Sequence, residues 1–101
     1  MINKNNLKSE DAYKSIGETA RELNLIDKKT GNLQTHTLRY WEKKFRQIRP
    51  LVKAGKRRYY SNKDLKTIKL IQFLLKEKGL TINGVKKILD DKDSHSIDDT
   101  V

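Results

Sequence analysis

The chain contains no cysteine, which excludes disulfide bonds and thiolate metal sites. Its two histidines, His36 and His95, are far apart and have no acidic partner at a ligand spacing, so we expect no metal and no other cofactor. No run approaches the roughly 18 apolar residues of a membrane-spanning helix, and the first six residues lack the apolar run of a signal peptide. We therefore predict a soluble, cytoplasmic protein without a membrane partner.

Apolar residues are also scarce, at 35% of the 101 residues, against 36% charged residues. This length accommodates one small domain with a thin core, since such a domain buries only somewhat more than about 60% of its unfolded surface. A catalytic pocket would have to be formed from that same core, so we predict that the protein is not an enzyme. The net charge of +10 points to a polyanion as partner.

Most of that charge lies between residues 35 and 58, which hold nine Lys or Arg and one acid, Glu42, giving 9 − 1 = +8. Within this stretch the spacing predicts a helix over about 34–45. Leu38, Trp41 and Phe45 fall on one apolar stripe of that helix. The opposite face carries polar and basic residues, namely His36, Arg39, Tyr40 and Lys43. A helix with these two faces suits the major groove of DNA, whereas the simpler reading is a solvated face with Arg39 paired to Glu42 or Glu22.

The residues before this helix predict a short first helix and a long loop. Ser15 and Glu18 form a capping-box pattern that opens the first helix. Residues 25–33 read as a loop of about nine residues, with turn chemistry over 28–32. We interpret residues 28–32 as a surface excursion with solvated lysines.

After the basic helix, Pro50 ends a basic connector, and residues 51–60 predict two short strands around a Gly-containing turn. A third helix begins with Ser61 as its cap and Asp64 at its third position, and Gly79 follows its end. Thr81 caps a short fourth helix, whose inward residues are Ile82, Val85, Ile88 and Leu89. The predicted organisation is a disordered tail over 1–11, one domain over 12–89 and an acidic, disordered tail over 90–101.

The pattern resembles the winged helix-turn-helix DNA-binding domain of the MerR family of bacterial transcription regulators. The resemblance rests on residues 37–42, on Arg58-Tyr59-Tyr60 some 16 residues later, and on residues 77–82. It implies a mostly α fold of about four helices with a two-stranded β-hairpin wing over 51–60. It also implies that the helix over about 34–45 enters the major groove and that Arg58 touches phosphate or the neighbouring minor groove.

The candidate DNA-contacting residues lie on the cationic helix face and on the wing. They are Thr35, His36, Arg39, Tyr40, Lys43, Lys44, Lys56, Arg57 and Arg58. The expected partner is double-stranded DNA, and the resemblance implies RNA polymerase as a second partner. The protein would then be associated with the nucleoid. No heptad pattern follows Leu89, so we expect a free monomer, with two copies able to pair on DNA.

Two alternative functions stay open from the sequence. An excisionase-like architectural protein would use the same fold to bend DNA for recombination. A basic module that binds RNA or an acidic protein would use the same charge, although no aromatic stacking platform for single strands is evident.

Overall fold

The computed structural model describes the backbone of residues 13–100 and the side chains of residues 13–93. The elements are, in chain order, β1 (Lys14–Ser15), α1 (Ile16–Glu22), α2 (Thr35–Lys44), β2 (Leu51–Lys53), a 3-10 turn (Ala54–Lys56), β3 (Arg57–Tyr60), α3 (Asn62–Gln72), a π-helical segment (Phe73–Glu77) and α4 (Ile82–Thr100). They confirm the predicted mostly helical winged helix-turn-helix. The chain forms two compact units, one ending at Ile68 and one beginning at Lys69. The predicted tail over 1–11 lies outside the described residues.

The first helix begins at the predicted capping box. The Glu18 N–H donates to Ser15 Oγ (3.2 Å), and the Ser15 N–H donates to Glu18 Oε1 (2.8 Å). The pKa of the Glu18 carboxyl is lowered from its ordinary value, mainly by the hydrogen bond from the Ser15 backbone N–H and next by hydrogen bonding with the Ser15 side chain. Two helix-end donors are thereby satisfied, so α1 starts at a defined residue.

The core of the first unit is built on the apolar stripe of α2. Leu38 and Phe45 are fully buried and Trp41 is 4% exposed, as the spacing predicts. Tyr60, at the end of β3, is 1% exposed, and its burial raises the pKa of its hydroxyl to about 12. The remaining buried apolar residues of this unit are Ala20, Leu23, Leu25, Ile48, Leu65 and Ile68. One helix therefore supplies the centre of the core and leaves its other face exposed.

The wing belongs to a three-stranded antiparallel sheet in the order β1-β3-β2. In β2 and β3, Leu51 lies opposite Tyr59 and Lys53 opposite Arg57. The sequence predicted only these two strands, whereas Lys14 of β1 also pairs with Tyr60. This third strand stabilises the wing, because isolated two-stranded hairpins are marginal and β1 pairs with backbone groups on the far side of β3.

The wing is followed by a buried carboxylate at the start of α3. Asp64 is 5% exposed and accepts hydrogen bonds from the Arg49 N–H (3.0 Å), the Ser61 N–H (3.2 Å) and the Ser61 hydroxyl (3.1 Å). The Asp64 N–H donates in return to Ser61 Oγ (3.1 Å). Ser61 and Asp64 thus have their predicted capping roles. The bond to Arg49 also fixes the backbone just before Pro50, where the chain turns into β2.

In the second unit, Gly79 has the expected left-handed conformation (φ +68°), and Thr81 Oγ1 accepts from the Gly84 N–H (3.0 Å). Val85 and Leu89 are buried as predicted. Ile88 is 41% exposed, so its predicted inward placement is wrong. Val85 and Leu89 are four residues apart and share one helix face, whereas Ile88 lies outside that narrow stripe.

The last helix is longer than predicted. It runs to Thr100, whereas the sequence analysis placed a disordered acidic tail from residue 90. The backbone is helical over 90–100, so the prediction of a short fourth helix is wrong. Two sequence features explain it: no glycine or proline follows Gly84, and Lys86 and Lys87 precede Asp90 and Asp91 by four residues, a spacing that stabilises helices.

Candidate nucleic-acid interface

The candidate interface starts with the exposed face of α2. This face lies opposite the buried stripe and carries the four predicted residues His36, Arg39, Tyr40 and Lys43, all of them exposed. Within the described residues, none of these four side chains has a hydrogen bond or an ion pair with another protein group. The result is a row of polar and cationic groups on a helix whose position is fixed by its buried side.

Two further predicted residues of α2 flank this face. Thr35 is the first residue of the helix and is partly buried. Lys44 is exposed, and its Nζ lies 5.6 Å from the centroid of the Tyr40 ring. That contact is a cation–π interaction, worth about 0.5–1 kcal/mol at an exposed site. It orients Lys44 towards the predicted contact face.

The turn of the wing carries exposed basic residues in an unusual backbone conformation. Gly55 (φ +76°) and Lys56 (φ +61°) are both left-handed. Glycine adopts this conformation readily, whereas an L side chain such as that of Lys56 does so at a cost. Lys56 and Arg57 are both exposed. A lysine in this strained backbone conformation is a candidate for a functional role of its charge.

Arg58, the third predicted wing residue, has a protein partner. Its Nε donates to Glu42 Oε1 at 2.7 Å, with the two side chains 25% and 21% exposed. Glu42 therefore pairs with Arg58 and not with Arg39, which was the pairing considered from the sequence. The ion pair ties β3 to the second half of α2. Because a guanidinium has five N–H donors, Arg58 retains donors beyond the one that Glu42 uses.

The predicted contacts omitted one wing residue. Lys53 ends β2, is exposed, and lies directly opposite Arg57 in the register. Its Nζ is 5.4 Å from the centroid of the Tyr59 ring. The sequence could have indicated Lys53, because it lies next to the predicted turn, and pairing of the two strands places it opposite Arg57. Lys53 thus adds a fourth cation to the wing, which also carries Lys56, Arg57 and Arg58.

Other kinds of site have little support in the part of the chain that the structure describes. No cluster of three or more His, Cys, Asp or Glu residues suited to a metal ion occurs there. None of its helices combines the length and apolar composition that crossing a bilayer requires.

Comparison with protein families identifies a family that covers most of the chain. The family described as MerR HTH family regulatory protein matches residues 14–92, which span β1 to the first half of α4. No curated protein and no solved structure matches the chain significantly.

Proposed function

Because the chain belongs to the MerR HTH family of regulatory proteins, we propose that it is a sequence-specific regulator of transcription that binds double-stranded DNA. In this proposal α2 lies in the major groove. The wing lies on the flanking backbone or in the neighbouring minor groove. The candidate contacts are the residues of these two elements described above, together with Lys53.

The exposed face of α2 carries the proposal. A solvated helix face of an ordinary domain commonly mixes both signs of charge in i,i+4 pairs. Here the one acid of the helix, Glu42, pairs with Arg58 of the wing, so it does not neutralise the basic face. The groups left exposed are donors and acceptors that suit base edges and phosphates. An α-helix also has the diameter that the major groove admits.

Position on the helix suggests two different roles. Lys43 stands opposite the buried stripe, where a side chain reaches furthest into a groove. Arg39 lies on the flank of that face, towards the phosphates. Contacts to phosphate set affinity without carrying sequence information, whereas contacts to base edges discriminate between sequences. We therefore assign reading of the bases to Lys43 and positioning on the backbone to Arg39.

These roles predict different effects of two matched substitutions. Lys43→Ala should narrow the difference in affinity between a preferred site and random duplex DNA by about 1–3 kcal/mol. Arg39→Ala should weaken binding to both duplexes alike and reduce the slope of log K against log salt by about one. Fluorescence anisotropy with both duplexes at several salt concentrations measures both quantities.

Lys86→Ala provides the control, because it removes one exposed cation from α4, outside the proposed interface. Its affinities for both duplexes should stay close to those of the wild type. The assignment of roles is wrong if Lys43→Ala weakens both duplexes equally while Arg39→Ala lowers only the preference.

The family also suggests finer features that we include in the proposal. RNA polymerase would be a second partner, and two copies of a chain that is monomeric in solution would pair on adjacent half-sites. Half-sites one helical turn of DNA apart, about 34–36 Å, would fit two such domains related by a twofold axis. Binding to the same duplex would then keep the two copies close to each other, without a dimer interface in the free protein.

A further inference from the structure

The long connection between α1 and α2 is a closed hairpin. Ile26 and Leu33 form an antiparallel bridge. The Asp27 N–H donates to the Asn32 carbonyl (2.8 Å), and the Gly31 N–H donates to the Asp27 carbonyl (2.7 Å). Residues 26–33, the interhelical hairpin, therefore have a defined conformation, although the sequence predicted a loop there.

The hairpin is anchored immediately before α2. Leu25 is 1% exposed, and its carbonyl accepts from the Gln34 N–H (2.8 Å), the residue that caps α2. Leu33 packs beside Gly17 of α1, where a Cβ would lie 3.7 Å from Leu33 Cδ1. Both ends of the hairpin are thus attached to the helix-turn-helix. Its base is consequently held at the N-terminal end of α2.

The tip presents two adjacent lysines. Lys28 and Lys29 are exposed, and within residues 13–93 neither has an ion-pair partner. The only acid in the hairpin is Asp27, and its Oδ1 accepts from the backbone N–H groups of Lys29 (2.8 Å) and Thr30 (3.3 Å). Its carboxylate is therefore used to shape the turn. The lysines remain available to an external anion.

The hairpin and the wing meet α2 at opposite ends. The hairpin joins at Gln34, and the wing is tied to Glu42 by the Arg58 ion pair. Eight residues of helix separate these points, which corresponds to about 12 Å at about 1.5 Å per residue. The major groove is also about 12 Å wide. A helix that crosses the groove from one strand to the other would therefore bring these two basic elements close to the phosphates of different strands.

We propose that the interhelical hairpin is a second DNA-backbone contact, in which Lys28 and Lys29 bind phosphates on the strand opposite the one that the wing contacts. The inference rests on the proposed function, since it requires α2 to lie in the groove. It extends the interface beyond the helix and wing. It also assigns a role to lysines that the sequence analysis interpreted as solvated.

The test removes both lysine charges. Lys28→Ala with Lys29→Ala should reduce the slope of log K against log salt by about 1.8, since each phosphate contact contributes about 0.9. Affinity at about 0.1 M salt should fall at least about tenfold for specific and random duplexes alike. Lys28→Arg with Lys29→Arg should keep near-wild-type affinity, because arginine also binds phosphate. Hydroxyl-radical footprinting should show protection lost on one strand at one edge of the site.

The matched control is Lys86→Ala with Lys87→Ala, which removes two adjacent exposed cations from α4. Its salt slope should change by less than about 0.5, because it removes charge but no phosphate contact. Thermal unfolding of both double variants should be close to that of the wild type, since all four side chains are exposed and each i,i+4 pair of Lys86 or Lys87 with an aspartate contributes only about 0.2–0.5 kcal/mol.

Two results would overturn the hairpin proposal while leaving the proposed function intact. One is a steep salt dependence of the wild type that persists unchanged in the hairpin variant. The other is an equal loss in the hairpin and α4 variants, which would indicate an effect of net charge alone. Failure of the wild type to bind any duplex would be a different result, because it rejects the proposed function itself and the hairpin contact with it.

Discussion

Trp41→Ala should lower the free energy of unfolding by about 3–5 kcal/mol, the usual cost of removing a buried aromatic side chain. Trp41 is 4% exposed and lies on the stripe between Leu38 and Phe45, both of which are fully buried. For a domain of this size the total stability is about 5–15 kcal/mol, so the variant should lose a large share of it. Urea denaturation followed by circular dichroism measures the change.

Tyr40→Ala is the matched control for this prediction, because it removes an aromatic side chain from the next position on the same helix. Tyr40 is 49% exposed and its removal loses the cation–π contact with Lys44, so stability should fall by no more than about 1 kcal/mol. Equal urea midpoints for the two variants would mean that the faces of α2 are not divided as described. The proposed position of this helix in DNA would then lose its structural basis.

The second large effect that we expect is a steep fall in DNA affinity as the salt concentration rises. The exposed cations of α2 and the wing are Arg39, Lys43, Lys44, Lys53, Lys56 and Arg57, with Arg58 partly exposed. If these engage about five to seven phosphates, this surface alone should contribute about −5 to −6 to the slope of log K against log salt, and the interhelical hairpin about −1.8 more. Raising the salt concentration from about 50 to 200 mM should then weaken binding by at least about a thousandfold.

A titration of one labelled duplex at four or five salt concentrations gives this slope directly. Replacing chloride by glutamate at a fixed cation concentration separates anion effects from the cation release that the slope reports. A slope shallower than about −2 on every duplex would count against DNA as the partner of this surface. The same titration of Arg39→Ala, with its expected slope change of about one, checks that the slope counts individual contacts.

The helix at the centre of the fold was predictable because its information is local. Leu38, Trp41 and Phe45 recur at helical spacing, so burying one face required little knowledge of the rest of the chain. The capping residues Ser15, Ser61 and Thr81 were predictable for the same reason, since a cap and the N–H it satisfies are within three residues. In each case the structure places the helix start at or next to the predicted residue.

Features that depend on distant partners were missed. Residues 14 and 15 form a strand only because β3 offers unpaired backbone groups to them. The ion pair between Glu42 and Arg58 joins residues 16 positions apart on different elements. Its existence depends on how the wing folds against α2. Periodicity contains no information of that kind, so the sequence left Glu42 without a definite partner.

The interhelical hairpin is an intermediate case. Turn chemistry over residues 28–32 was evident, and the length of the connection was recognised. The pairing of Ile26 with Leu33 could not be predicted, because a single bridge lacks the alternating apolar and polar pattern that indicates strands. The burial of Leu25 also depends on tertiary packing, which local sequence patterns do not specify. The sequence alone therefore does not distinguish a flexible charged loop from a hairpin that holds its lysines in a fixed position.

Selection of bound sequences from a pool of random duplex DNA tests the central claim most directly, since that claim is sequence-specific binding through the exposed face of α2. We expect the wild type to enrich one motif, with a dyad if two copies pair on the site. Lys43→Ala should enrich that motif more weakly, because it loses a contact to the bases. An architectural protein that bends DNA, or a module that binds RNA or an acidic protein, would leave the pool without a motif. That result would contradict the account.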